Sequence, residues 1–441
     1  MMLPVSTSPR TIFQNNQVES KTFSAHAFTD SRLNDKWQLT TGYDYTSLRS
    51  SIGGMRTDYP SPTLGGVNAD TRFTKVLGGS DVGLYTMALS MMYSPNDNLN
   101  IIPTFRVEKE DINASSGYNS ISTAGVTSAA QTLALSEESK LEVAQGLDIR
   151  YVGITNWVLY ARGDFQENRA RLDQDYGTPP PVVFNINQLW HQTIQKYSAG
   201  ANWYPRPGLN FAMSYYHKID QNHYDVLSSA SPTTYPGFLR NQDFITDGTS
   251  FRTTWRPTSK VTLVSRYDFS YATVDTQGYL LLKIPGCNET KHMFGETVTW
   301  TPLNRLFAQA GLNYVLDTIT TGAEALSAGI LQPSRNDYWT VNSLLGYAFN
   351  DRTDGQLGYT YTRAANYYGT SPQFNGGVTP YFVPYGSGTE EHQVSAKVSH
   401  QLTKNIRTSL NYAFTNYRDQ LFGGNTDFRS HSILATLQYR F

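Results

Sequence analysis

The chain has 441 residues, a formal net charge of −1 and a pI near 6.7. There is no basic excess to hold a polyanion, so nucleic acid is not an expected partner. Charged residues are 16% and aromatics 13%, with 30 Tyr and 21 Phe, at a mean hydropathy of −0.43. Soluble domains carry roughly 25% charge. No run of about 18 uncharged apolar residues exists, which excludes helical membrane spans. The single Cys287 excludes an intrachain disulfide framework and a multi-cysteine metal site.

In chain order, residues 1–10 (MMLPVSTSPR) have neither the basic start nor the apolar core of a secretion signal. Residues 1–20 form a poorly patterned N-terminal segment, in which only Thr11, Phe13 and Val18 are weakly apolar. From residue 21 onward, paired strands are expected at 21–30/37–48, 83–93/99–109, 141–151/157–168, 193–203/209–218 and 248–255/261–273. Further pairs are expected at 292–300/305–317, 338–348/356–364 and 391–400/406–417, with a lone strand at 431–441. Each is about ten residues long and alternates with period two, the mark of a strand with one apolar face.

Three segments show this best. Leu141, Val143, Leu147, Ile149 and Tyr151 alternate with Glu142, Asp148 and Arg150. Trp157, Leu159, Ala161 and Phe165 alternate with Arg162 and Asp164. Leu263, Tyr267, Phe269 and Tyr271 alternate with Arg266, Asp268 and Ser270. A helix would mix Arg266 and Asp268 among the aromatics, so the strand reading wins.

The connections fall into two kinds. Short turns such as Pro205-Arg206-Pro207-Gly208 and Thr301-Pro302-Leu303-Asn304 favour tight reversals. Long Gly-, Ser-, Thr- and Asn-rich stretches at 50–80, 111–139, 170–191, 221–247, 275–290, 320–336, 365–388 and 418–429 are expected to be loops. Aromatics recur beside the short turns: Tyr93, Tyr151, Trp203, Trp255, Trp300 and Phe349. Amphipathic rings prefer the headgroup level of a bilayer, so these six are expected to form a girdle.

Together these features predict an all-β fold: a transmembrane, antiparallel, up-and-down β-barrel of residues 21–441. Short turns are expected on the periplasmic side and long loops outside. The lone last strand makes the count odd, whereas single-chain bacterial barrels are normally even. An upward strand ahead of residue 21 is therefore expected, giving about 18 or more strands and a protein longer at its N-terminus.

At the other end, Ile433, Ala435, Leu437, Tyr439 and Phe441 form an unbroken apolar alternation. This closely resembles the C-terminal signature of bacterial outer-membrane β-barrels. The resemblance implies an outer-membrane location and handling by the barrel-assembly machinery, with the lipid bilayer as the other partner.

Alternation places Arg106, Glu108, Asp148, Arg150, Arg162 and Asp164 toward the interior, together with Lys196, Arg252, Arg266, Asp268, Lys397 and Arg407. They are expected to line a polar lumen, because charge facing lipid at mid-depth costs about 2–4 kcal/mol. Mixed-sign pairs such as Arg162/Asp164 and Arg266/Asp268 stiffen the wall and tune which solutes pass.

No G-x-S-x-G, H-E-x-x-H, Cys-x-x-Cys-His or phosphate-binding loop occurs, and the eight His are scattered. No enzyme activity, metal or cofactor is therefore expected. Cys287, in the expected loop Pro285-Gly286-Cys287-Asn288, is read as a free thiol.

The leading functional expectation is a porin-like channel for small hydrophilic solutes or ions, with 50–80 or 111–139 folded in as a constriction. The many hairpins and short turns also resemble, in architecture, the barrel partner of porin–cytochrome electron conduits (the MtrB/PioB family). That likeness would imply a multihaem cytochrome inside the barrel. The Cys-x-x-Cys found near the N-terminus in some of those proteins is not in this sequence. A TonB-dependent transporter needs an N-terminal plug the size of a small domain, whereas strands begin here by about residue 21.

Overall fold

The computed structural model describes residues 10–60, 71–121, 132–177, 184–228, 239–278, 284–320, 334–368, 388–419 and 427–440. Every regular element in them is a strand. In chain order these are β1 (Arg10–Arg32), β2 (Trp37–Pro60), β3 (Thr71–Asn96), β4 (Leu99–Ile121), β5 (Thr132–Tyr151) and β6 (Trp157–Gly177). There follow β7 (Phe184–Arg206), β8 (Leu209–Ser228), β9 (Leu239–Thr258), β10 (Val261–Gly278), β11 (Ile284–Leu303) and β12 (Leu306–Thr320). The last five are β13 (Ser334–Asn350), β14 (Thr353–Tyr368), β15 (Gly388–Gln401), β16 (Ile406–Asp419) and β17 (Phe428–Tyr439).

All 17 strands form one sheet in which each pairs antiparallel with its neighbour in sequence, an up-and-down meander. Among the described residues, β1 and β17 each have one partner, β2 and β16, and both run toward the short-turn end. No helix of the described residues is long and apolar enough to cross a membrane.

The turns at one end are as short as the sequence predicts. Asn156 takes φ 65° and Gly208 takes φ 80°, so each reversal has a residue type that tolerates the left-handed region. The strands are longer than predicted, from 12 residues in β17 to 26 in β3. Much of several expected long loops is strand: 50–80 contributes the end of β2 and the start of β3, and 111–139 the end of β4 and the start of β5. Those parts are not folded inward as a constriction; residues 61–70 and 122–131 lie outside the described residues. The first strand begins at Arg10, so much of the segment read as unpatterned pairs with β2. Cys287, expected in a loop, lies in β11 opposite Val274 as a free thiol. His217 and His223 lie inside β8.

The cause is physical. Where both faces of a ladder meet water, nothing selects alternating hydrophobicity, and the period-two signal fades while the hydrogen bonds persist. On β6 the outer side reads Trp157, Leu159, Ala161, Gly163 and Phe165, then Glu167, Arg169, Arg171 and Asp173. The apolar stretch, at about 3.4 Å per residue and a tilt near 40°, matches a band of about 25 Å. Above it the exposed side chains pair with each other: Arg169–Glu167 at 2.6 Å, His191–Glu167 at 3.0 Å, Arg171–Asp173 at 2.7 Å and Lys109–Asp111 at 2.8 Å.

Hydrogen bonds from Arg169 and His191 hold the Glu167 carboxyl below its usual range, and bonds from Lys109 and Ser139 do the same for Asp111. A depressed carboxylate pKa stabilises the fold above the unfolded value, about 4, and loses that contribution only as pH falls through the lower folded value. Hydrogen exchange of 105–111 and 165–171, taken relative to the intrinsic rate at each pH, is therefore expected to stay unchanged from pH 7 to about 4 and to rise below it. A rise already at pH 5–6 would contradict these pairings.

The two faces of the sheet differ sharply. Directly paired residues share a face, and the registers join Leu147 to Pro103 and Gly163, and Leu345 to Ala308 and Leu357, on the apolar side. Every described strand belongs to this one sheet, so neither face is covered by another layer. Yet Leu147 and Leu345 are 43% and 46% exposed, while Glu142 and Asn168 on the polar side are 5% and 2% exposed. Side chains converge on the concave side of a curved sheet and diverge on the convex side. The polar face is therefore the inner one.

One carboxylate breaks the apolar face at mid-band. Glu296 lies between Phe294 and Val298 on β11, opposite Ser265 and Leu312. Glu296→Leu is expected to raise stability in lipid vesicles by about 1 kcal/mol, read from the urea midpoint. A lower midpoint would show that Glu296 has a partner of its own.

Candidate functional site

The inner wall is built by register from the residues that alternate with the apolar ones. All twelve charged residues expected to face inward lie on this side. Arg106 and Glu108 are on β4, Asp148 and Arg150 on β5, Arg162 and Asp164 on β6, and Lys196 on β7. Arg252 is on β9, Arg266 and Asp268 on β10, Lys397 on β15 and Arg407 on β16.

A spacing emerges that single strands hide. Four successive upward strands carry a cation and, two residues on, a carboxylate on the same inner face. These are Arg106/Glu108 on β4, Arg162/Asp164 on β6, Lys218/Asp220 on β8 and Arg266/Asp268 on β10. The four ion pairs close at 3.6, 2.9, 2.9 and 2.5 Å. Arg407 pairs with Asp354 across β14–β16, near the short-turn end.

Between these pairs runs a belt of buried polar groups. Glu142 accepts from Arg106, and Lys140 lies 3.5 Å from its other oxygen. Asn168 donates to Gln192 at 2.6 Å, Gln192 to Asp220 at 2.7 Å, and Asn222 to Asp220 at 3.1 Å. The Trp190 indole donates to Asn222 at 3.1 Å. Each of these belt groups thus has a partner, and together they hold the wall's shape. Sequence reading missed Lys218, Asp220 and Asn222 because it ended β8 at residue 218. The Lys218-x-Asp220 spacing, matching Arg162-x-Asp164, was the available signal.

On the convex face the six predicted girdle aromatics all point outward beside short turns. Tyr151, Trp203, Trp255, Trp300 and Phe349 are exposed. Tyr93 stacks on Trp37 with centroids 4.2 Å apart, and Trp203 stacks on Trp157 at 5.7 Å and Phe211 at 5.5 Å. A second level of aromatics lies toward the other edge of the band, with Tyr45 against Tyr85 at 4.8 Å and Tyr314 against Trp339 at 4.3 Å. Ile433, Ala435, Leu437 and Tyr439 face the same convex side of β17, opposite Tyr412, Leu410, Thr408 and Ile406. Phe441 lies outside the described residues. Among the described residues no group of three or more His, Cys, Asp or Glu is placed to hold a metal ion.

Solved structures share this architecture. The alcaligin outer-membrane receptor FauA from Bordetella pertussis aligns at TM-score 0.51 and 15% identity, over 96% of this chain and 65% of that one. The ferric yersiniabactin uptake receptor FyuA from Yersinia pestis aligns at TM-score 0.52 and 11% identity, over 98% and 69%. The fold is that of an outer-membrane β-barrel. OccK1 (OpdK) from Pseudomonas aeruginosa is a weaker match at TM-score 0.32 and 11% identity, over 97% of both chains. No family model and no curated protein matches the sequence. The chain thus spans about two-thirds of the length of the receptors it matches.

Proposed function

We propose that this chain forms the wall of a bacterial outer-membrane channel through which small hydrophilic solutes or ions cross. The observation that carries the reading is the separation of faces. A convex band of apolar and aromatic side chains suits lipid, and the concave face bears half-exposed ion pairs and carboxamides that suit water. A sheet of this strand count has more interior than its own side chains fill, and barrels of 16–18 strands hold an aqueous channel. Polar groups lining such a channel set what passes through it.

The test is conductance. The protein purified from outer membranes is reconstituted in a planar lipid bilayer, where stepwise openings in KCl are the expected result. A barrel that inserts, shown by protease protection, yet gives no steps contradicts the channel reading. The likeness to FauA and FyuA supports a second reading, a receptor barrel occupied by a further folded part. Steps that appear only under urea would favour that reading over an open channel.

A further inference from the structure

We infer that the stretch of inner wall from β6 to β10 is an anion-binding strip that makes the lumen selective for small solutes bearing carboxylate or phosphate groups. This rests on the channel reading above and deepens it.

The first observation is the balance of charge on that wall. Arg162/Asp164, Lys218/Asp220 and Arg266/Asp268 are each neutralised within their own strand. The intervening downward strands add Lys196 on β7 and Arg252 on β9, both exposed, and neither makes an ion pair among the described residues. Lys196 instead lies over the Tyr216 ring, 4.9 Å from its centroid. Once the pairs cancel, the excess on this wall is cationic.

The register sharpens it. Lys196 is directly opposite Lys218 on one side and Asp164, already paired with Arg162, on the other, and Arg252 is directly opposite Arg266 and Ala212. Like charges facing each other across a ladder repel. The wall holds two such contacts at different depths, their rows separated by about 20 Å along the strands, with Arg162 between. Two repulsive contacts on one polar wall, each relieved by an anion between the partners, describe successive binding positions along a path.

The third observation is which member of each pair meets the lumen. Arg162 and Asp164 are 54% and 31% exposed, Lys218 and Asp220 36% and 12%, Arg266 and Asp268 54% and 21%. The carboxylates lie back against the wall, where Asp220 takes hydrogen bonds from Gln192 and Asn222. The cations stand forward. A solute passing β6–β10 therefore meets ammonium and guanidinium groups first. Across the sheet, the inner face of β13 to β16 presents uncharged Thr340, Asn342, Thr360, Ser395 and Asn411 at mid-wall, with Lys397 and the Arg407–Asp354 pair toward the short-turn end and Glu391 and Asp419 toward the other.

The experiment is the reversal potential of reconstituted channels under a KCl gradient, with inorganic phosphate then added as a competing anion. The native channel is expected to prefer chloride, and phosphate to lower its chloride current. In Lys196→Gln/Arg252→Gln the chloride-to-potassium permeability ratio is expected to fall by about threefold or more, and phosphate to lose its effect. Lys196→Arg/Arg252→Lys, which keeps both charges, should retain the native ratio and show that the loss is one of charge. A conducting native channel that prefers potassium, or a Gln variant with an unchanged ratio, overturns the anion strip while leaving the channel reading intact. A native protein that never conducts overturns the channel reading itself.

Discussion

Leu147→Arg is expected to destabilise the folded protein in lipid vesicles by about 2–4 kcal/mol. Leu147 lies on the convex face of β5, between Pro103 and Gly163, and is 43% exposed. In water such a residue is a surface position and arginine there is nearly neutral. In a bilayer the same exposure faces hydrocarbon, and the guanidinium loses its hydration. Asp148→Arg, one residue on and facing the other way, is expected to cost no more than about 1 kcal/mol, the repulsion of Arg162 opposite it. Urea unfolding in vesicles measures both. Equal effects at 147 and 148 would deny the lipid-facing assignment.

Arg106→Leu is expected to cost about 1–3 kcal/mol by a different route. Glu142 is 5% exposed and accepts from Arg106; without that donor its remaining partner is Lys140, 3.5 Å away. Removing one member of a buried pair leaves the other's desolvation uncompensated, while removing both is nearly neutral. The double variant Arg106→Leu/Glu142→Leu should therefore recover most of the loss. If the double loses as much as the two singles added together, the pair is not coupled and the belt is not what holds this wall. The urea midpoint again reads it, with conductance as the check that the wall keeps its form.

The contrast between these two residues shows how far the sequence alone reaches. Leu147 and its neighbours alternate across a water–lipid boundary, so their pattern is imposed by the solvent on each side and is readable one strand at a time. The tight turns and the turn-side aromatics follow from that same boundary, and so do the seventeen strands. The further upward strand expected ahead of residue 21 is absent among the described residues, where β1 runs from Arg10 to Arg32. Glu142 and Asn168 are buried by the curvature of the sheet and by side chains of the neighbouring strands, which no local window contains. The extensions beyond the membrane escape for the opposite reason. At Glu167–Asp173 and 111–121 both faces meet water, and nothing in the alternation marks the backbone as paired. Lys218/Asp220 fell in such an extension, which is why the fourfold cation–carboxylate repeat became visible only once β4, β6, β8 and β10 were aligned.

The most direct test of the two-faced wall is thiol labelling along β5 in intact outer membranes, on a Cys287→Ser background. Single cysteines at Val143, Ala144, Leu147, Asp148 and Ile149 are treated with a charged maleimide that does not enter hydrocarbon. Ala144→Cys and Asp148→Cys are expected to label, Leu147→Cys and Ile149→Cys to remain unlabelled, and Val143→Cys, opposite Glu167, to mark the edge of the band. Uniform labelling along the strand, or the reverse alternation, would contradict a lumen lined by the charged face and a bilayer against the apolar one.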